Sequence, residues 1–403
     1  MSPAPSDPLL RFRSEFPILE RSTYLISNSL GAMPRSAASA LAEYAETWAT
    51  RGVRAWADSW WDMSATVGDT IAPLIGAAPG TVSMLPNVTA ASAVVLSSFS
   101  YASPRNRVVM LDGEFPSVRY VYDSLATRLG AEVVVVRSPG GDGLSADESR
   151  ILDSIDDRTA LVAISHVLFK SAFVLDVRPI AEKCRRAGAL LVLDAYQSVG
   201  TLPVSVDALG VDALVGGVLK WLCGGPGGAF LYVRPEWRRK LKPALTGWMA
   251  HPAPFDFEPP PIRQRDDAFR FLLGTPAIPA LYAAREGPRI VREAGPEKIR
   301  EKSLRQTSRL IALAEERGLA CATPRDPARR GGTAAVDFDN AREVARELNA
   351  RDIVVDYRPG VGIRLSPHFY TKDEELDRTF AAIDEIRRTG AWRRWIDRPS
   401  LVT

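Results

Sequence analysis

Cysteine is scarce in this sequence: Cys184, Cys223 and Cys321 are the only three in 403 residues, an odd number with no CxxC spacing. That argues against a disulfide framework and against a zinc site, and no metal is expected. Long apolar runs are also missing, since none reaches the roughly 20 residues of a membrane-spanning helix, so no membrane partner is expected. The opening stretch MSPAPSDPLLRF has no basic segment followed by an apolar core. We therefore expect no secretory leader and a cytoplasmic location. An excess of one charge is absent too. The 51 basic and 48 acidic residues leave a net charge of +3, which gives no footprint for nucleic acid. Lysine is rare within the basic set, and most lysines lie in charged, helix-like surroundings such as AEKCRR and PEKIREKS. Lys220 is different, because it closes an apolar run.

Hydrophobic content of 46% and charged content of 25% are those of an ordinary globular chain, long enough for two domains with cores of their own. The stretch from 189 to 233 organises the rest. An apolar run, Ala189 to Leu193, ends on Asp194, and a second, Val211 to Leu219, ends on Lys220. The turn Gly224-Gly225-Pro226-Gly227-Gly228 follows, then a third run from Ala229 to Val233. Short apolar runs between helical patterns predict buried parallel strands. Ligands of open α/β sheets sit beyond the carboxyl ends of such strands, so Asp194 and Lys220 can face one pocket. Pyridoxal phosphate (PLP) requires both: a lysine that bonds its aldehyde carbon and a carboxylate that keeps its ring nitrogen protonated. A charge pair about 4 Å apart is worth roughly 4 kcal/mol at an effective dielectric near 20. Asp194 alone reads as a helix N-cap and the glycine run alone as a turn. A lysine ending an apolar strand is less ordinary, and the three features together favour the cofactor.

The segments DAYQSVG and KWLCGGPG resemble the pyridinium-aspartate and Schiff-base segments of class V, fold-type I PLP enzymes, in the kynureninase-like branch. The resemblance runs from about residue 20 to about residue 385. It implies a large domain with a mostly parallel seven-stranded sheet and a small C-terminal α/β domain. On that scheme residues 1–20 are an N-terminal arm, 21–270 the PLP-binding domain, and 271–403 the inter-domain helix and small domain. It also implies a homodimer with shared active sites and a small-molecule amino-acid substrate. Lys220 becomes the catalytic lysine, Asp194 the partner of the ring nitrogen, and Gln197 a contact of the ring hydroxyl. Val88 and Thr89 open the expected phosphate-binding helix, although Asn87 or Thr89 also reads as a plain N-cap. Phe115, in GEFPSV, takes the place of the aromatic that stacks on the ring, and Ser165 that of a strand-end contact. Ser29, in an NSLG turn, falls near the substrate, and Arg364 at the position that holds its carboxylate. Arg358 is a second candidate for that task. Trp248 and Thr275 lie in segments that reach a neighbouring subunit's cofactor. His166, at a strand end, reads either as catalytic or as a satisfied structural residue.

Three positions depart from kynureninases, which carry tyrosine, histidine and aspartate where this chain has Leu219, Gln197 and Val118. Cysteine desulfurases carry a histidine before the lysine and a cysteine just ahead of the arginine, and neither is here. The resemblance thus implies a PLP enzyme acting on an α-amino acid, first as a lyase that cleaves the side chain. That is β-elimination from an S-cysteine-type conjugate or kynureninase-like Cβ–Cγ cleavage, with natural-product biosynthesis as a setting. An aminotransferase or decarboxylating deaminase, and a non-catalytic binding protein on the same fold, are the alternatives. Locally, the pattern predicts one long helix from Trp56 to Ile75 and one strand from Ile353 to Tyr357.

Overall fold

The computed structural model describes residues 7–398. Its first strand, β1 (Thr23–Tyr24), is followed by β2 (Val82–Leu85), β3 (Arg107–Leu111) and β4 (Glu132–Val136). Next come β5 (Thr159–Ser165), β6 (Leu190–Asp194), β7 (Ala213–Gly217) and β8 (Ala229–Val233). Seven of these form one sheet in the order β2-β8-β7-β6-β5-β3-β4. The contacts β7-β6-β5-β3-β4 are parallel, while β8 runs antiparallel to both its neighbours. Buried Val, Leu and Ile fill β3, β5 and β6 because helices cover both faces of the sheet. Two apolar clusters result, one on each face.

The C-terminal part has β9 (Ala320–Cys321), β10 (Ala334–Asp337), β11 (Ile353–Val354), β12 (Asp356–Arg358) and β13 (Gly362–Leu365). Four of them make an antiparallel sheet, β12-β13-β10-β9, backed by the helices Pro296–Glu315, Ala341–Ala350 and Asp373–Thr389. β1 pairs with β11, so the start of the chain is stitched to this C-terminal unit.

Three local expectations need correction. The helix expected over Trp56–Ile75 is broken. Trp61 N–H bonds the Trp56 carbonyl in a π turn, where Trp56 packs edge-on against Trp60 and Trp61. A regular helix then holds only over Met63–Ile71. Pro73, which has no N–H to continue the ladder, leaves a 3₁₀ turn over Ala72–Ile75. The strand expected over 353–357 splits at Val355 into β11 and β12, which pair with different strands. The segment read as an arm packs on the body: Pro8–Glu15 and Pro17–Glu20 are 3₁₀ turns with Leu9, Phe12, Phe16 and Leu19 buried. Those four residues are spaced as one helical face, and Phe16 packs on Phe369 and Tyr370. The first six residues of the arm lie outside the described residues.

Candidate active site

Four adjacent parallel strands deliver the site. The chain leaving β3 carries Phe115, β5 ends on Ser165, β6 ends on Asp194, and three residues beyond β7 stands Lys220. Register locks them together, since Ser165 pairs with Asp194 and Asp194 with Val215. A cavity of about 220 Å³ opens there, and Val88, Thr89, Phe115, Ser165, Asp194, Gln197 and Lys220 all line it. Val118 and Leu219, two of the departures from kynureninases, line it as well, so apolar groups do stand where that branch has polar ones.

Burial pulls Lys220 and Asp194 toward their neutral forms, while their mutual attraction opposes that pull. The Lys220 amine is lowered from 10.5 to about 8 by burial first and then by the Arg364 charge. Its Nζ lies 4.4 Å from the Tyr196 ring centroid and 5.5 Å from that of Phe115. Asp194 accepts the Tyr196 backbone N–H at 2.9 Å, which orients its carboxylate.

At the opposite wall begins the helix Val88–Leu96. The Asn87 side chain accepts from the Ala90 N–H at 2.8 Å, so Asn87 is indeed a cap. It leaves the Val88 and Thr89 amides, together with the Thr89 hydroxyl, at the cavity wall as donors for an anion.

Gln197 spends both ends of its amide on the protein: Nε2 donates to the Asn28 carbonyl at 3.0 Å, and Oε1 accepts from Trp221 Nε1 at 2.9 Å. His368 extends this line with Nε2 2.8 Å from the Trp221 carbonyl, and burial keeps its ring neutral, lowered to about 3. Ser29 does not line the cavity. The NSLG turn reaches the site through its backbone: Gly31 N–H bonds the Leu219 carbonyl at 2.9 Å. A Cβ on Gly31 would stand 2.1 Å from the Lys220 carbonyl oxygen, so only glycine permits this approach.

Arg364 is buried and clamped by Asp356, which accepts from its Nε at 2.9 Å and from its Nη2, while Nη1 donates to the Phe169 carbonyl at 2.6 Å. Arg358 shares the same carboxylate at 3.2 Å. The Arg364 and Arg358 charges both reach Lys220 and favour its neutral amine, and a guanidinium held this way suits a carboxylate through paired hydrogen bonds.

Trp248 and Thr275 stand apart from this cavity. Trp248 packs against Trp61 and Phe255, and Thr275 lines a second cavity with Met84, Leu85 and Pro86, just before the anion-facing helix. His166 is buried, with its ring held neutral at about 4 by burial and by the Arg300 charge, and it does not line the cavity.

Sequence reasoning missed Glu114, Tyr196 and Asp356. Glu114 is buried under the site, accepts the Ser165 N–H at 2.8 Å and the Ser165 hydroxyl at 2.5 Å, and is pushed up to about 8 by burial and by Asp194. Only Asp356 left a signal in the sequence, as the acid of DYR ahead of Arg364.

The residues fit PLP. Lys220, with its amine over two aromatic rings, and the Asp194 carboxylate line one cavity, and the first residues of the helix Val88–Leu96 line it as well. Comparison with known proteins agrees. The family model for class-V aminotransferases matches residues 23–378. The chain is 31% identical over 400 residues to a kynureninase of Burkholderia pseudomallei (strain 1106a), covering 96% of this chain and 94% of that one. It is 34% identical over 376 residues to the uncharacterized aminotransferase YcbU of Bacillus subtilis (strain 168), covering 93% and 96% respectively. Among solved structures, the apo cysteine desulfurase of Thermococcus onnurineus NA1 superposes with a TM-score of 0.82 at 22% identity, over 94% of this chain and 98% of that one. The cystine C–S lyase C-DES, in complex with cysteine persulfide, also gives 0.82 at 22% identity, over 91% and 98%. With the matched model spanning nearly the whole chain and the site built for the cofactor, the chain belongs to the class-V aminotransferase family of PLP-dependent enzymes.

Proposed function

We propose that this enzyme is a lyase that removes the side chain of an α-amino acid, in the first place by β-elimination from an S-cysteine-type conjugate. The observation that carries this reading is the proton inventory of the cavity. Among the described residues Lys220 is the one basic side chain that lines it, and positions 118 and 219 offer valine and leucine toward the substrate. Asp194 is reserved for the ring nitrogen, and burial keeps the Tyr196 phenol well above its ordinary range. A thiolate leaves without help from an acid, since a free thiol ionises near about 8.5. Cβ–Cγ cleavage of a kynurenine-like substrate needs water activated at a carbonyl, for which this wall has no second base.

Bound PLP supplies the sink for the electron pair left at Cα. The chain does the rest. Arg364, braced by Asp356 and the Phe169 carbonyl, binds the substrate carboxylate and so orients Cα–H toward Lys220. With PLP held in the cavity, Lys220 would take the Cα proton on Nζ, a task suited to an amine lowered to about 8. The C–S bond then breaks with its electron pair on sulfur. The three-carbon fragment leaves as 2-aminoacrylate, which water converts to pyruvate and ammonium. The three free cysteines support the same setting, a reducing compartment. The apolar wall at 118 and 219 supports a specialised substrate, of the kind met in natural-product assembly.

A second reading, transamination, is favoured by the 34% identity to an aminotransferase-labelled relative, since one lysine also suffices to move a proton from Cα to the cofactor. The test is turnover of a panel of S-substituted cysteines and kynurenine by the PLP-loaded enzyme. We expect thiol, pyruvate and ammonium in equal amounts with no added keto acid. Turnover only when a 2-keto acid is supplied replaces the lyase by a transaminase, and turnover of kynurenine alone replaces C–S by C–C cleavage.

A further inference from the structure

We propose that Tyr196 is a cofactor-contact residue: its ring forms the wall opposite Phe115 of the slot that takes the PLP pyridine ring. The inference rests on the reading of Lys220 as the cofactor lysine. Three observations converge on it. First, Lys220 Nζ lies over two aromatic faces, 4.4 Å from the Tyr196 centroid and 5.5 Å from the Phe115 centroid. Whatever is bonded to Nζ starts between these rings. Second, Tyr196 is tied to the ring-nitrogen site through its own backbone, whose N–H reaches Asp194 Oδ1 at 2.9 Å. The phenol is thus held at a fixed offset from the carboxylate that fixes the pyridine nitrogen.

Third, the sheet is cut away to seat the phenol. A Cβ on Gly217, the last residue of β7, would stand 2.3 Å from Tyr196 Cζ and 2.5 Å from its oxygen. The strand therefore ends without a side chain, and the Tyr196 ring lies against bare backbone. Gly217 has no positive φ that would otherwise require glycine, so the aromatic ring is the physical reason for it. A ring laid on a rigid strand is a platform rather than a flap.

The chemistry suits the platform. With Asp194 holding its nitrogen protonated, the bound ring is cationic, and a cation is attracted to aromatic faces on both sides. The contact needs the ring of Tyr196 and not its hydroxyl. That distinction makes the proposal testable with variants at 196 and 217.

The experiment is titration of apo-protein with PLP, read by the absorbance of the lysine-bound cofactor and by its induced circular dichroism, on wild type, Tyr196→Phe, Tyr196→Ala, Gly217→Ala and the double variant Tyr196→Ala/Gly217→Ala. Melting of each apo-protein checks that it is folded. We expect Tyr196→Phe to bind within about twofold of wild type and Tyr196→Ala to bind about tenfold more weakly with a reduced dichroic band, the size expected for losing one aromatic contact. Gly217→Ala lifts the phenol off the strand and weakens binding too, whereas adding Gly217→Ala to Tyr196→Ala costs nothing further, because the two act through one contact. Tyr196→Ala with wild-type affinity and dichroism overturns the proposal, as does a Gly217→Ala effect that persists undiminished in the double variant. A wild-type protein that gives no borohydride-reducible PLP adduct overturns the cofactor reading itself, and this inference with it.

Discussion

On the proposed reading Lys220 needs a charged Asp194 beside it, and the surroundings of Asp194 are acidic. Burial raises its carboxyl, the Tyr196 N–H and the Lys220 charge oppose this, and Glu114 lies close by, joined to the neighbouring strand end at Ser165. Two carboxyls in so dry a place do not both ionise readily. Glu114, raised from 4.5 to about 8, is the one that keeps its proton at neutral pH. Because its folded pKa lies above its unfolded one, the stability it contributes is full below pH 4.5 and is lost as pH rises toward 8. We expect the unfolding free energy of the apo-protein to fall over that window by an amount on the order of a few kcal/mol, read as a falling melting temperature. Glu114→Gln should flatten the fall, and an equally steep profile in that variant would assign the slope elsewhere. Asp194→Asn should retain PLP yet lose roughly 10²–10³-fold in kcat, the scale of a 3–4 kcal/mol charge contact at a protonated ring. Unchanged turnover would remove the electron-sink role. Lys220 and Asp194 were legible in the sequence because a charge that ends an apolar strand has few structural uses. Glu114 was not, because its burial is created by β5 and β6, strands 50 to 80 residues away, as its hydrogen bonds to Ser165 show.

At the scale of elements, strands that are apolar on both faces were easy to read. The observed bounds of β8 are those of the apolar run Ala229 to Val233, β6 differs from its run by about one residue at each end, and β7 is shorter than the run Val211 to Leu219 at both ends. What could not be read were features set by partners: the split at Val355, where the two halves pair with different strands, and the seating of the 8–20 segment on Phe369 and Tyr370. The NSLG turn belongs to the same class. Its sequence reads as a plain turn, and only the fold brings Gly31 against the backbone of Lys220. Gly31→Ala must therefore displace the 219–223 segment. We expect PLP affinity to fall at least tenfold, with an overpacking cost of about 1–3 kcal/mol, although residue 31 does not line the cavity. Affinity equal to wild type would show that the segment yields freely. Asp356 is the corresponding brace on β12. Asp356→Asn should raise KM at least tenfold by loosening Arg364 and leave the PLP dissociation constant in place. A loss of PLP affinity instead would place Arg364 on the cofactor rather than on the substrate.

The whole molecule leaves two site segments facing outward. Trp248 is 38% exposed in a patch with Phe255 and Phe257, which are 62% and 77% exposed. So much aromatic surface in one loop is more than a solitary chain needs. Thr275 is exposed as well, and lines a cavity beside Leu85 and Pro86, the residues that lead into the anion-facing helix. Within one chain the phosphate would be met by the Val88 and Thr89 amides and the Thr89 hydroxyl, with leucine at 219 where the related branch has a tyrosine. A dianion in a partly dry cleft needs several hydrogen bonds, so further donors are required from outside the cavity. We therefore predict that PLP binds at a two-fold interface, with Trp248 or Thr275 of one chain against the phosphate in the other. The measurement is PLP affinity across protein concentration, together with mass in solution. We expect tight binding only where the dimer is populated, and Thr275→Val to weaken PLP by about tenfold, one charge-assisted hydrogen bond, without changing the dimer. A monomer that binds PLP as tightly as the dimer does would defeat the prediction and leave the helix Val88–Leu96 as the whole phosphate site.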